Sequence, residues 1–303
     1  MLASFIIAAF NEGRFIEQAV LSCLNQTVQD IEVVVVDDGS TDETWEKLLS
    51  LQQSFKDKLV LHRFSKNKGK VAAFNRAFTM SSGDYVAIMG ADDISVNDRI
   101  EYSLKCIKDY DILCGDLSKF DDETGALLSA SLMEESLDIS GDRVFTFKEL
   151  LEKPLVFGGT IFSRREALKN VFPIDEKIVH EDWWIPLCLA AHKEIKYCHK
   201  VLCKYRIHSG QDTLLKRRFS SYDTWRAFRV REIPYYERVL ASFDLDEQSK
   251  KIMQHRINRE KLADQDIMVR AKAISALDKK NVLDYLTVLH PFFCYWWMKR
   301  KLL

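Results

Sequence analysis

The 303-residue sequence has almost no charge imbalance: 44 Lys and Arg stand against 45 Asp and Glu, a net charge of −1. A molecule without strong bias has no field to hold a polyanion over its whole surface, so any basic contact patch must be local. Cysteine is sparse: there are seven, an odd number with no Cys-x-x-Cys pair. That argues against a disulfide framework and predicts a reducing compartment. Long apolar runs are missing as well. Residues 2–10 are apolar, but no basic segment precedes them and Glu12 follows, which reads as a first strand rather than a secretory leader. The longest later run, residues 288–298, is interrupted by His290 and Pro291 and falls short of the roughly 20 residues of a membrane span. The turn after the first strand, Ala9-Phe10-Asn11-Glu12-Gly13, is not the glycine-rich phosphate loop that a sugar-phosphate nucleotidyltransferase would place there.

What is present is a rhythm of short apolar strands and helices. The composition, 47% hydrophobic and 29% charged, is that of an ordinary globular protein. Residues 2–10, 31–36, 59–64 and 85–89 read as strands, and the β-branched run at 31–36 suits a sheet covered on both faces. Helical patterns lie between them. Ser40 with Glu43 three residues on predicts a capping box opening a helix that ends near Phe55. Four strand–helix repeats in about 100 residues predict an α/β fold with a parallel sheet.

Two of those strands end in acid pairs, Asp37-Asp38 and Asp92-Asp93. Ligands of open α/β sheets sit beyond the carboxyl ends of the strands. Adjacent carboxylates repel unless a cation or proton is shared, and Mg²⁺ or Mn²⁺ with a phosphate-bearing ligand resolves the repulsion. The alternative for one pair is simple helix capping. Two such ends in succession favour a shared site.

Further along, a helix is expected after Ser95, then a strand at 112–115, a turn at 121–125 and a mobile polar surface loop at 134–142. Gly158-Gly159 mark a place where backbone approaches packing or a ligand closely. Glu181-Asp182 opens a helix, followed by Trp183 and Trp184, which suit a sugar-stacking wall or the core. Cys188, His192, Cys198, His199 and Cys203 lack paired metal-ligand spacing, and the cysteines among them read as buried thiols. A domain boundary is placed near 210, with a helical extension over 211–303. Its basic-aromatic segments, Lys216 to Arg231 and residues 292–301, read as a packing or dimer face, or as a peripheral membrane contact.

In their order, Phe10-Asn11-Glu12, Asn25-Gln26-Thr27, Asp37-Asp38-Gly39-Ser40-Thr41-Asp42, Asn67-x-Gly69 with Asn75, Gly83-Asp84-Tyr85, Ala91-Asp92-Asp93, Glu181-Asp182 and Arg206-x-His208 resemble the inverting family-2 glycosyltransferases of GT-A fold. The resemblance covers roughly residues 2–210. It implies a mostly parallel nucleotide-binding sheet flanked by helices, a nucleotide-sugar donor and a divalent cation, Mn or Mg. It implies nucleotide contacts from Phe10, Asn11, Glu12, Asp38, Lys66, Asn75 and Asp92. It implies metal ligands among Asp92, Asp93 and His208, and Asp182 as general base with Glu181 beside it. A glycan or lipid-linked acceptor in surface polysaccharide synthesis, a cytoplasmic location at the inner membrane face and a homodimer complete the expectation. Two positions depart from the pattern: Gly90 stands where an acid is usual, and Phe74 where an Arg is usual. Lys66, Lys68, Lys70 and Arg76 are the candidates for that missing charge. The competing expectation, motivated by Gly90 and Phe74, is a non-catalytic protein of the same fold that binds nucleotide-sugar.

Overall fold

The computed structural model describes residues 2–209, 222–263 and 265. The chain divides into two compact units, Met1–Glu176 with His180–His208, and Lys177–Val179 with Ser209–Leu303. The first unit opens with β1 (Ala3–Ala9), α1 (Ile16–Leu24), β2 (Ile31–Asp37), α2 (Thr44–Ser54), β3 (Leu59–Arg63), α3 (Lys70–Met80) and β4 (Tyr85–Gly90). These strands lie parallel in the order β3-β2-β1-β4. Ile7 is in register with Val35 on one side and Met89 on the other. All three are fully buried, as are Phe5, Val33 and Ala87. Each such large apolar side chain contributes about 1.5–3 kcal/mol by leaving water. Cross-strand register is therefore fixed by burial, and the three long inner strands β1, β2 and β4 finish at one edge.

The remainder of the unit makes the sheet mixed. It adds β5 (Ile94–Ser95), α4 (Arg99–Ile107), β6 (Ile112–Asp121), β7 (Leu127–Ser129), α5 (Leu132–Leu137), β8 (Arg143–Phe145) and α6 (Phe147–Glu152). A 3₁₀ turn over Gly158–Thr160 leads to β9 (Phe162–Arg164), α7 (Arg165–Leu168), α8 (Glu181–Ala190) and β10 (Ile195–Ile207). Strand β9 runs antiparallel between β4 and β6, and β10 lies parallel to β6. This order carries the 158–160 turn to the end of β4, where Ile88 N donates to Ile161 O. It also brings the end of β10 back to the chain that follows β4, since β10 pairs with β5.

Two local expectations are corrected. Ser40 does not cap α2: its hydroxyl is committed to Asp37, and Asp42 instead accepts from Thr44 N at the helix start (3.0 Å). The polar stretch at 134–142 is helical at its beginning, not a loop. Ser131 Oγ accepts from Glu134 N, and the buried carboxylate of Asp116 accepts from Met133 N (3.0 Å) and the Ser131 hydroxyl. A cap of this kind is worth about 1 kcal/mol, which decides a six-residue helix with little apolar surface.

In the second unit α9 (Tyr222–Val230), α10 (Ile233–Ser242) and α11 (Glu247–Leu262) are described, with α10 packed on α11. Trp225 is fully buried and Arg229 pairs with the buried Glu260 at 2.6 Å. Those two members of the expected basic-aromatic face are turned inward. Lys216, Arg217, Arg218 and residues 292–301 lie outside the described residues. Among the described residues no helix is long and apolar enough to cross a membrane.

Candidate active site

Strand β4 ends at Gly90, and the next turn presents Asp92 and Asp93. A Cβ on Gly90 would stand 2.9 Å from Asp93 Oδ2 and 3.0 Å from Asp92 Oδ1, so a side chain here would press on both carboxylates. The two acids have different surroundings. Asp93 is buried, and its Oδ1 accepts from Arg206 N at 3.0 Å. Burial, with the neighbouring Asp92 charge, pushes its carboxyl well above the ordinary range. Asp92 is more open: its Oδ2 lies 3.3 Å from His208 Nε2.

Glu12, Asp92 and His208 each bring one ligand atom within 4.8 Å of the others, and they are the cluster of this kind among the described residues. Asp92 and His208 were expected here. Asp93 was expected too, but one of its oxygens is spent on the main chain of Arg206. Glu12, expected at the nucleotide, completes the group instead. Two carboxylates and one imidazole suit a hard or borderline divalent cation. The imidazole of His208 is packed against Phe15, with ring centroids 4.3 Å apart.

The side of the site beyond β1 and β2 is built by main-chain clamps. Asn11 adopts a left-handed φ of 55°, which Asn tolerates better than most residues. Its Oδ1 accepts from Thr41 N (2.8 Å), its own N–H donates to Ser40 Oγ (2.9 Å), and Glu12 N donates to Thr44 Oγ1 (2.9 Å). Phe10 remains 42% exposed beside this clamp, an unusual position for a phenyl ring and one suited to stacking. Asp38 is buried, with Oδ1 accepting from Lys68 N (2.7 Å) and Oδ2 from Gly69 N (2.8 Å). It thereby holds the basic loop that carries the exposed Lys66. Asn75 acts as a brace: its amide donates to Ile174 O (2.8 Å) and accepts from Ile174 N (2.7 Å).

At the start of α8 the acids differ again. Glu181 is buried and bound by Lys70 Nζ at 2.8 Å. Burial raises its carboxyl above the usual range; Lys70 opposes that shift and the Asp182 charge adds to it. Asp182 is half-buried, and its Oδ1 is shielded from water without a hydrogen-bond donor among the described residues. Gly158 explains the close fit beside it, since a Cβ there would lie 2.9 Å from Asp182 Cβ. A Cβ on the next residue, Gly159, would lie 3.6 Å from Asp93 Oδ2. Adjacent glycines thus touch the acid of α8 and the acid after β4. Trp184 is core, whereas Trp183 stacks on His180 with centroids 4.1 Å apart. Of the four cations offered for the missing Arg, Lys70 is the one paired with Glu181, while Lys68 lies over the Phe64 ring (4.4 Å). Phe74 itself is buried. Cys198 and Cys203 are buried, in keeping with structural thiols.

Comparison with known proteins agrees with this architecture. Residues 4–172 match the model of the family described as Glycosyl transferase family 2. An uncharacterised glycosyltransferase of Nostoc sp. is 32% identical over 218 residues, 70% of this chain and 66% of that protein, so the chain spans a little under two thirds of its length. One from Haemophilus influenzae is 30% identical over 225 residues, 73% of this chain and 84% of the relative. Among solved structures, TarS residues 1–349 of S. aureus with UDP-GlcNAc has a TM-score of 0.60 at 18% identity, covering 95% of this chain and 80% of that 1–349 chain. The mannosyltransferase PcManGT of Pyrobaculum calidifontis, with GDP-Man and Mn²⁺, has a TM-score of 0.58 at 18% identity, covering 99% of this chain and 84% of the neighbour. At such identities the likeness is one of fold. With acid pairs at the strand ends, the family match and the shared α/β architecture, the chain belongs to glycosyl transferase family 2 and is a glycosyltransferase of the GT-A fold.

Proposed function

We propose that the protein moves a sugar from a nucleoside-diphosphate sugar, a UDP-sugar foremost, to a hydroxyl of a glycan or lipid-linked acceptor in surface polysaccharide synthesis, with inversion. The observation that carries this reading is the Gly158-Gly159 turn, which touches Asp182 on one side and Asp93 on the other. A base and the strand-end acids therefore serve one site. The Asp182 carboxylate takes the acceptor proton as the acceptor oxygen bonds to the anomeric carbon and the bond from that carbon to the diphosphate breaks. Glu181, held by Lys70, fixes the start of α8 beneath that base.

Phe10 stacks on the nucleobase, Asp38 and the loop it holds line the same pocket, and Lys66 stands near the diphosphate. A cation, Mn or Mg, would be held by Glu12, Asp92 and His208. When bound it supplies positive charge to the departing diphosphate. Residues 1–210 form the catalytic domain in this reading and 211–303 a helical extension, and the protein works in the cytoplasm.

The test is a panel of UDP-, GDP- and dTDP-sugars assayed for donor hydrolysis and transfer, with Mn²⁺, with Mg²⁺ and with chelator. Metal-dependent turnover of UDP-sugars is expected. Turnover confined to GDP- or dTDP-sugars would replace the donor assignment, and full turnover in chelator would remove the cation from it.

A further inference from the structure

We infer that Arg206 is the positioning residue of the cation site, a side chain that ties the Asp92 and His208 segments of the Glu12–Asp92–His208 cluster to α1 and to the turn after β6. The inference rests on the reading of that cluster as a cation site. Arg206 lies two residues before His208 and is buried. Its Nε donates to the Asp92 carbonyl at 2.6 Å, while its main-chain N donates to Asp93 Oδ1 at 3.0 Å. One residue therefore fixes the backbone at Asp92 and the side chain next to it. The far end of the guanidinium donates to Asp122 Oδ1 (2.6 Å), after β6, and to Gln18 Oε1, on α1. Its plane is held between Phe15 and Phe120, each with its ring centroid 4.9 Å away. Phe15 is also the ring packed on His208.

The physical need is clear from charge. Glu12, after β1, and Asp92, after β4, repel each other, and the Asp92 turn moves away unless something holds it. Arg206 holds it without consuming a ligand atom: it binds the Asp92 carbonyl and leaves the Asp92 carboxylate to His208 and a cation. A planar fork with donors on several edges is what this geometry uses, and a lysine ammonium cannot reach the Asp92 carbonyl, Asp122 and Gln18 together. Groups that orient metal ligands from behind typically set affinity by ~10–100-fold.

The experiment is a Mn²⁺ titration of the full-length protein followed by electron paramagnetic resonance, without donor or acceptor, beside a thermal melt of each variant. Arg206→Lys is expected to melt as a folded protein and to bind Mn²⁺ ~10–100-fold more weakly. Gln18→Ala removes one tether from an exposed side chain, so it serves as the variant certain to fold, and a several-fold loss is expected. Asp92→Asn calibrates the site. If wild type binds Mn²⁺ and Asp92→Asn abolishes it, yet folded Arg206→Lys and Gln18→Ala bind as wild type does, the positioning role is overturned and the cation site stands. Were wild type and Asp92→Asn to bind alike, the cation site itself would fail and the inference with it.

Discussion

The acid pair after β4 and the acid pair opening α8 solve one problem in two ways. In each pair one carboxylate is buried and the other faces the site. Asp93 is stabilised by a main-chain N–H, a neutral donor, and its proton affinity is driven up by burial and by the charge of Asp92. Glu181 is stabilised by a full charge, the Lys70 ammonium, which works against the burial shift. The outward members differ in consequence. Asp92 sits with Glu12 and His208, a group able to hold a metal ion. Asp182 sits against a glycine with a carboxylate oxygen that nothing donates to among the described residues. Ligation needs several donors converging on a point, whereas a base needs one oxygen left unsatisfied until a hydroxyl arrives. On the strength of this contrast, the two pairs have different tasks in the proposed function.

The sharpest way to break that contrast is to replace Asp182, the proposed base. Asp182→Asn keeps the size and the N-terminal position on α8 but cannot accept a proton. Single-turnover transfer at saturating donor is expected to fall by ~10²–10⁴-fold, with nucleoside-diphosphate affinity and melting temperature near wild type. Near-normal transfer by the folded variant would shift the role to Glu181 and erase the distinction between buried and outward acids. A joint loss of binding and melting temperature would instead make Asp182 a helix-capping residue.

The strands and the acid pairs were legible in the sequence because burial on both faces leaves continuous β-branched runs, and because two carboxylates directly after such a run are conspicuous. Which acid of each pair turns inward was not legible. That choice is made by Arg206, distant in sequence from Asp93, and by Lys70, equally distant from Glu181. Neither contact leaves a periodic trace. The place of Glu12 beside Asp92 and His208 was not legible for the same reason: it depends on three separate chain segments meeting. The helix at Leu132–Leu137 was read as loop because its side chains are polar, while Asp116 and Ser131, which hold its first turn, lie outside it.

A smaller effect is expected from the turn between the two pairs. Gly158→Ala places a Cβ 2.9 Å from Asp182 Cβ, closer than real side chains come, so the start of α8 or the turn has to move. Misplacement of a reacting group by a fraction of an ångström costs on the order of 10-fold in rate, against ~10² for a full ångström. Gly159→Ala meets Asp93 Oδ2 at an ordinary 3.6 Å and is expected to remain close to wild type. Measuring kcat for the two variants at saturating donor and acceptor compares the ends of the turn directly. Equal losses would show that the turn itself, not the fit against Asp182, is what matters.

The smallest effect is thermal and isolates Glu181. Folded Glu181 holds its proton more tightly than the same carboxyl does in the unfolded chain, whose ordinary value is 4.5. Its contribution to stability is therefore complete below 4.5 and is lost as pH rises through the raised folded value. Glu181→Gln is neutral at every pH and has no such loss. Subtracting the wild-type melting temperature from that of the variant removes the carboxylates common to both, including Asp42, Asp142 and Glu149, whose lowered values tilt the profile the other way. The difference is expected to move in favour of the variant as pH rises above 4.5. Lys70→Met should do the reverse: the buried carboxylate loses its cation, so the variant falls further below wild type as pH rises. If Glu181→Gln shows a flat difference while Lys70→Met still loses stability as pH rises, the ion pair balances the burial cost completely. Glu181 then belongs with the fixed charges of the fold, and the likeness to Asp93 ends there.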